Sequence, residues 1–521
     1  MDFVGTFAAF TPAIVAIVLA LITKQVYISL FLGIFTGATL FVGGDILRAL
    51  ATVFSVMSKT VGANVPIIVF LVVLGIFVVL MQKSGGSRAY GEWAGRKIKS
   101  KSGALNATAG LGCLIFVDDY FNCLTVGSVM RPITDKFRVS HAKLAWIIDC
   151  TAAPICIIAP ISSWAAAVSG QLEGDGLVVF MQTIPFNIYA ILTIIMVFVF
   201  CSMGLDFGKM RKNEVIAETT GDLNAGETDL ASDDDTSIVA NPKGKVRHLI
   251  VPVIILIACC VGGMIYSGFF YDWNLEAYGT TVQSKNVIEA FSNCDAGSSL
   301  AIGSTIALVI VAIYYAVERV VSFKEFANSF TQGFKAMVPA ILILTFAWSI
   351  SAIMGAKGGY LDAKLFVETY MSYVPATVQA FFPAIFFILA GGIAFATGTS
   401  WGTFGVLVPV AVTLLGGSGT LVFLTVAATL GGAVFGDHVS PISDTTILSS
   451  TGGNCNHLDH VRTQFPYAGI IAAIAAVSYV VAGLLASFGG LVAGAAMWVT
   501  ALIIFAVFVL IVKKSAKKKA A

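Results

Sequence analysis

The chain has 521 residues, of which 57% are hydrophobic and only 12% charged, with a formal net charge of +2. A water-soluble chain would carry about a quarter of its residues charged, so that class is excluded, and a nearly neutral balance gives no overall attraction to nucleic acid. Apolar runs repeatedly reach the ~20 residues that cross ~30 Å of hydrocarbon, so the reading is an all-α, polytopic protein of the cell membrane.

In chain order, Met1–Phe10 has no basic region and reads as uncleaved rather than as a signal peptide. Apolar runs predict about eleven spans, near 10–23, 26–43, 64–82, 144–170, 184–204, 249–270, 299–317, 335–355, 419–450, 466–487 and 491–512. Basic clusters at 83–101, 131–143, 209–212, 243–247 and 513–519 belong on the cytoplasmic side, whereas Glu173, Asp175 and the acidic 271–298 loop belong outside. The N-terminus is then out and the C-terminus in. Residues 104–130 are apolar between two basic flanks, and at ~27 residues they are too short for two crossings. They read as a re-entrant hairpin turning near Asp118-Asp119-Tyr120, which the bilayer tolerates where backbone lines a cavity. Residues 205–247 are polar, acidic at Asp233-Asp234-Asp235 and basic at both ends; they read as a disordered cytoplasmic linker between a first half (1–204) and a second half (248–512). The basic tail, 513–521, suits anionic headgroups. The nine cysteines lie mostly in apolar runs, which argues against a disulfide framework, and no Cys/His spacing suggests zinc.

The halves echo each other. Pro160-Ile161-Ser162 recurs as Pro441-Ile442-Ser443, an offset of 441 − 160 = 281. That offset sets Asp118-Asp119-Tyr120 against Thr399-Ser400-Trp401 and Asn122 against Thr403, so 380–415 reads as a second hairpin. Five crossings separate the start of 26–43 from the start of 299–317. An odd number makes an inverted repeat, the architecture of secondary transporters, with broken helices 144–170 and 419–450 meeting at the midplane.

Residues 435–446, Phe-Gly-Asp-His-Val-Ser-Pro-Ile-Ser-Asp-Thr-Thr, place two carboxylates, an imidazole and several hydroxyls inside an apolar region. A carboxylate at mid-bilayer costs roughly 2.5–3.5 kcal/mol on the insertion scale. Pro441 would open the helix between Asp437 and Asp444, freeing carbonyls that join Ser440, Ser443 and Thr445 as hard oxygen ligands for a small cation. The same acids can take a proton, and the structural alternative is capping of the broken helix. Adjacent Asp118 and Asp119 must be paired, protonated or cation-bound, unless Asp119 only caps the second hairpin leg. Asn122 is a neutral ligand or a tip hydrogen bonder; Ser162, Thr399, Ser400 and Thr403 offer hydroxyls or simple caps. Asp149 has no acidic counterpart (Leu430) and is a further cation or proton candidate. His438 titrates near neutrality or supports an acid structurally. His457, His460 and Arg462 read as a solvated cytoplasmic turn.

These residues resemble a known family. Gly436-Asp437-His438-x-Ser440-Pro441-Ile442-Ser443-Asp444-Thr445-Thr446, with Gly452 and the His457–Arg462 turn, resembles the signature of the NhaC-type sodium/proton antiporters. Phe116–Asn122 and Ala159–Trp164 are similar to that family's first-half counterparts, and the resemblance spans about 60–490. It implies exchange of Na+ for H+ with an inverted-repeat fold and no cofactor. Asp437, Asp444 and Asp119 would hold Na+, with Asp118 and Asp149 as further cation or proton groups. Members that exchange malate and lactate look similar too, so a Na+- or H+-coupled carrier of a small organic anion or amino acid is the alternative. An intramembrane protease or a passive channel would leave the repeat unexplained, so the chain reads as a carrier, not an enzyme. Its partners are Na+, H+, lipid and, in the alternative, an organic solute; a homodimer is compatible with this reading.

Overall fold

The computed structural model describes residues 3–520 apart from 24, 173–175, 228–239, 272–283, 288–289, 291–292, 356–358, 371–372 and 417–418. The acidic centre of the expected linker, Glu173, Asp175 and most of the 271–298 loop fall outside them, as does the side chain of Asp444. All described secondary structure is helical, as the apolar runs require when backbone groups must be satisfied within hydrocarbon. Eight described helices are long and apolar enough to cross a membrane, nine when Phe323–Met354, bent at Pro339, is added. The chain is a multi-pass membrane protein.

Residues 144–170, read as a broken helix, are interrupted, and one further apolar helix lies outside the expected spans. Residues 144–170 are three pieces, His141–Cys150, Ala153–Cys156 and Ser163–Ser169, split at Pro154 and Pro160. Ile46–Ala63, hidden from an apolar scan by Arg48 and Lys59, is itself long enough to span. Burial separates inner helices from outer ones. Thr420–Val439 is 78% buried over its apolar window and Gly490–Ser515 only 22%, so the former lies at the centre while the latter shows a lipid-compatible face.

Two helical pairs and two broken helices form that centre. The first pair is Lys101–Leu114 and Asp119–Lys136; the second is Phe382–Thr397 and Ser400–Leu415. The first broken helix runs from His141 to Ser169, and the second is Thr420–Val439 followed by Asp444–Gly453. Helix starts obey the 281 offset, since 382 − 101, 400 − 119 and 444 − 163 all equal 281. The reason is local. Ser162 and Ser443, at matching positions, each cap the next helix by accepting a backbone N–H, from Ala165 at 3.0 Å and Thr446 at 3.2 Å.

Each pair packs its break against the break of its own half. Ser163 N–H donates to Val117 O at 2.9 Å, and a Cβ on Gly112 would lie 2.0 Å from Thr151 Oγ1. In the second half a Cβ on Gly398, whose φ is +71°, would meet Ile442 O at 2.4 Å. Phe382–Thr397 lies tightly along Thr420–Val439 because Gly432 faces Phe387 O and Gly436 faces Gly391 O, each 2.2 Å from where a Cβ would stand. The halves join where Gly127 meets Gly452, wedging Asp444–Gly453 between Asp119–Lys136 and His141–Cys150.

The linker is not simply disordered. Gly208–Thr220 is a helix with Met210, Asn213, Glu214 and Ala217 buried. Glu214 accepts from Ser140 N–H at 2.8 Å and pairs with Lys101 at 2.6 Å, Asn213 donates to Asp459 at 2.6 Å, and Lys209 pairs with Asp459. Polar composition hid this strap because its burial rests on ion pairs with Lys101 and Asp459, far off in sequence, rather than on apolar periodicity.

Gly432→Ala should lower the melting temperature in detergent, through about 1–3 kcal/mol of overpacking. Gly392→Ala, with nothing within 4 Å of the added Cβ, should leave it unchanged or slightly raised. Equal melting of the two variants would contradict the close Thr420–Val439 packing.

Candidate functional site

Asp437 lies fully buried in the last turn of Thr420–Val439. Three hydroxyls converge on its carboxylate: Ser443 at 2.5 Å on Oδ1, with Thr445 at 2.9 Å and Ser400 at 3.1 Å on Oδ2. They come from the starts of two other helices, Ser400–Leu415 and Asp444–Gly453, whose positive dipole ends oppose the negative end of Thr420–Val439. The local sequence builds this directly. Pro441 ends the first segment, Ser440 ties the opened strand to Phe395 O at 2.7 Å, and Ser443 restarts the helix. Charge-assisted hydrogen bonds of this kind offset part of the cost of burying the acid.

A second buried acid lies beside it. Asp149, one residue before the end of His141–Cys150, accepts from Ser449 at 3.1 Å, Gln464 at 2.5 Å and Thr446 at 3.4 Å, and sits 3.5 Å from His460 Nε2. Gln464 also donates to His438 O at 2.7 Å, and His438 Nδ1 lies 3.0 Å from Tyr189 Oη. Thr446 belongs to both acids, since its hydroxyl is 3.0 Å from Asp437 O.

The first half contributes Asp118 and Asp119, both buried at the break of the first pair. Trp164 Nε1 donates to Asp119 Oδ2 at 3.0 Å, and the Trp164 ring lies 5.5 Å from that of Trp401, the residue after Ser400. Asp119 and Asp437 thus stand on either side of one aromatic contact between the halves. Asn122 Nδ2 lies within hydrogen-bond distance of Gly112 O (2.7 Å), Ile115 O (3.0 Å) and Thr151 O (2.9 Å), so the two protons of its amide are shared among three carbonyls and close the tip. The hydroxyls of Ser162, Thr399 and Thr403 make cap or backbone bonds: Ser162 to Cys156 O, Thr399 from Gly402 N–H, Thr403 to Thr399 O. Asp444 begins its helix, and its side chain lies outside the described residues. Among the described residues no three His, Cys, Asp or Glu side chains form a metal-type cluster; oxygen donors here come mainly from hydroxyls and carbonyls.

One sequence expectation is overturned. His460 is not in a solvated turn; it is fully buried, because His457–Leu484 begins earlier than expected and turns His460 and Gln464 inward on one face. The i, i+4 spacing of these two polar residues was a usable signal, masked by neighbouring Arg462. Ser449 and Tyr189 were missed, and Thr446 stood only as part of the motif: each is ordinary alone and gains meaning from its contacts with Asp149 or His438.

The Na+/H+ antiporter family model matches residues 173–484. An uncharacterized protein of Haemophilus influenzae is 37% identical over 527 residues, covering 97% of this chain and 96% of that one. The chain belongs to the Na+/H+ antiporter family. Shorter similarities join this family member to two named carriers. The malate-2H(+)/Na(+)-lactate antiporter of Bacillus subtilis is 32% identical over 176 residues, 32% of this chain and 34% of that one. The arginine/ornithine antiporter ArcD of Halobacterium salinarum is 41% identical over 112 residues, 21% of this chain and 23% of that one. This family member is a secondary transporter, and the acids above are buried among its helices.

Asn122→Ala should leave the tip carbonyls without the amide's two donated protons and destabilise the protein by about 2–4 kcal/mol, read as a lower melting temperature in detergent. Unchanged melting would show that the tip closes without Asn122.

Proposed function

We propose that the chain exchanges Na+ for H+ by alternating access, with the cation held at Asp437. The observation that carries this is the set of hydroxyls from Ser400, Ser443 and Thr445 gathered on one fully buried carboxylate. A hydroxyl has one proton and two lone pairs. The groups that donate to the carboxylate here can therefore turn lone pairs to a small, hard cation. Asp119 and Asp118 would face this centre from the first half, with Asp444 and Asp149 as further acids. The 281 offset of helix starts supports an inverted repeat, with hairpins entering from opposite sides, the N-terminus out and the C-terminus in. On that reading the protein works in the cell membrane, and protonation of buried acids opposes cation binding.

The second reading is coupled exchange of a small organic anion or amino acid. It is favoured by the names of the Bacillus and Halobacterium relatives and by the helix starts at Ser400 and Asp444, whose N–H groups suit a carboxylate.

Proteoliposomes holding an imposed pH gradient separate the two. The wild type should dissipate the gradient on addition of Na+ alone, and Asp437→Asn should reduce this to the rate of protein-free vesicles. Ser443→Ala should raise the Na+ concentration for half-maximal flux about tenfold, the equivalent of ~1.5 kcal/mol. Undiminished flux in Asp437→Asn would remove Asp437 from the mechanism; flux that appears only with added malate, lactate or a basic amino acid would favour the second reading.

A further inference from the structure

The hydroxyl cage of Asp437 does not account for the second acid. Asp149 and His460 are both fully buried, and among the described residues His460 is the only ion-pair partner of Asp149. Among the described residues neither ring nitrogen of His460 is within hydrogen-bond geometry of a partner, Nε2 standing 3.5 Å from Asp149 Oδ2, and Nε2 of His438 and Oε1 of Gln464 are likewise without one. Lys143, two turns back on the same helix, is occupied by Asp206. The titratable groups around Asp149 are Cys123 from Asp119–Lys136, Cys150 from its own helix, Tyr189 from Ile188–Met203, Asp437 and His438 from Thr420–Val439, and His457 and His460 from His457–Leu484. No fixed cation stands among them.

We infer that the exchanged proton is carried by the Asp149–His460 pair rather than by the Asp437 carboxylate, and that the Thr446 hydroxyl couples the two sites; this rests on the Na+/H+ reading above. With the pair deprotonated, a bare carboxylate and a neutral imidazole leave one uncompensated charge in low dielectric. One proton, shared between Asp149 Oδ2 and His460 Nε2, removes it. Thr446 has a single hydroxyl proton and two acceptors, Asp437 O at 3.0 Å and Asp149 Oδ2 at 3.4 Å. Ser440 N–H already donates to Asp437 O at 3.2 Å, so Thr446 occupies that carbonyl's other lone pair. When the pair holds its proton, Thr446 keeps the carbonyl engaged and denies it to the cation. When the proton leaves, the Asp149 carboxylate draws the Thr446 hydroxyl over, and the Asp437 carbonyl is released to join the Na+ ligands. Proton loss at one acid thereby strengthens cation binding at the other. Gln464, bonded to both Asp149 and His438 O, holds the two helices in register for this exchange.

The test is the pH dependence of apparent Na+ affinity in proteoliposomes for the wild type, His460→Gln and Thr446→Val. One proton opposing one Na+ makes the wild-type affinity fall about tenfold per pH unit on acidification. Both variants should flatten that slope, or displace it by more than about one pH unit. A readout that needs no variant is the Na+-induced infrared difference spectrum of the wild type labelled with ring-15N histidine. Loss of an imidazolium signal together with a carboxyl change is expected. Wild-type slopes in both variants, or a difference spectrum with carboxyl bands alone, would overturn the inference and leave Na+/H+ exchange standing. A wild type without Na+-dependent proton flux would overturn both.

Discussion

The governing constraint is the cost of an acid in hydrocarbon. An isolated carboxylate removed from water loses far more solvation than any single contact returns, so every buried acid in this core must be answered by dipoles, hydroxyls or a mobile cation. The fold supplies these answers by breaking helices. Each break at Ile115–Asp118, Gly398–Thr399 and Ser440–Ser443 ends one helix and starts another nearby, setting N–H-bearing helix starts and capping hydroxyls beside acids that would otherwise be stranded. Glycines then allow the breaks to touch: Gly398 against Ile442, Gly112 against Thr151 and Gly127 against Gly452. Removing that closeness would separate the acids from the groups that tolerate them.

The two halves share a plan and divide the chemistry. Corresponding helices start 281 residues apart, yet the first half places Asp118-Asp119 where the second has Thr399-Ser400, and Asp149 where the second has Leu430. At those positions the first half carries the acids; at the proline break the order reverses, with Asp437 and Asp444 standing where the first half has Cys156 and Ser163. The sequence of the second half supplies the cage, and the crossing of Asp444–Gly453 over Asp119–Lys136 brings first-half acids to it. A carrier of the antiporter family has use for this division, because a cation and a proton need not share the same oxygens to exclude each other. On the inference above they need only be linked through one hydrogen-bond donor, and the Thr446 hydroxyl lies within reach of both Asp437 O and Asp149 Oδ2.

Much of the architecture was legible in the residues. Pro441 flanked by Ser440 and Ser443 marked a helix break, and the repeated Pro-Ile-Ser gave an offset that the capping serines obey. Asp118-Asp119 between basic flanks marked the first pair. Three things were not legible, each because it depends on tertiary contact. Gly208–Thr220 is buried through ion pairs with residues about a hundred or more positions away, which no local pattern encodes. His460 points inward because its helix starts at His457, ahead of the apolar run that suggested a later start. For Asn122 the residues left a neutral ligand and a tip hydrogen bonder equally open, and only the tertiary contacts show its amide among three carbonyls freed by the breaks around it.

The claim beneath this account is that Na+ neutralises Asp437 within its hydroxyl cage and that protons oppose it. Equilibrium binding of radioactive sodium to the purified chain, at alkaline and at acidic pH, addresses it most directly. The account predicts a single saturable site per chain at alkaline pH whose occupancy is lost on acidification. Absence of saturable binding at alkaline pH, or binding indifferent to pH, would contradict it.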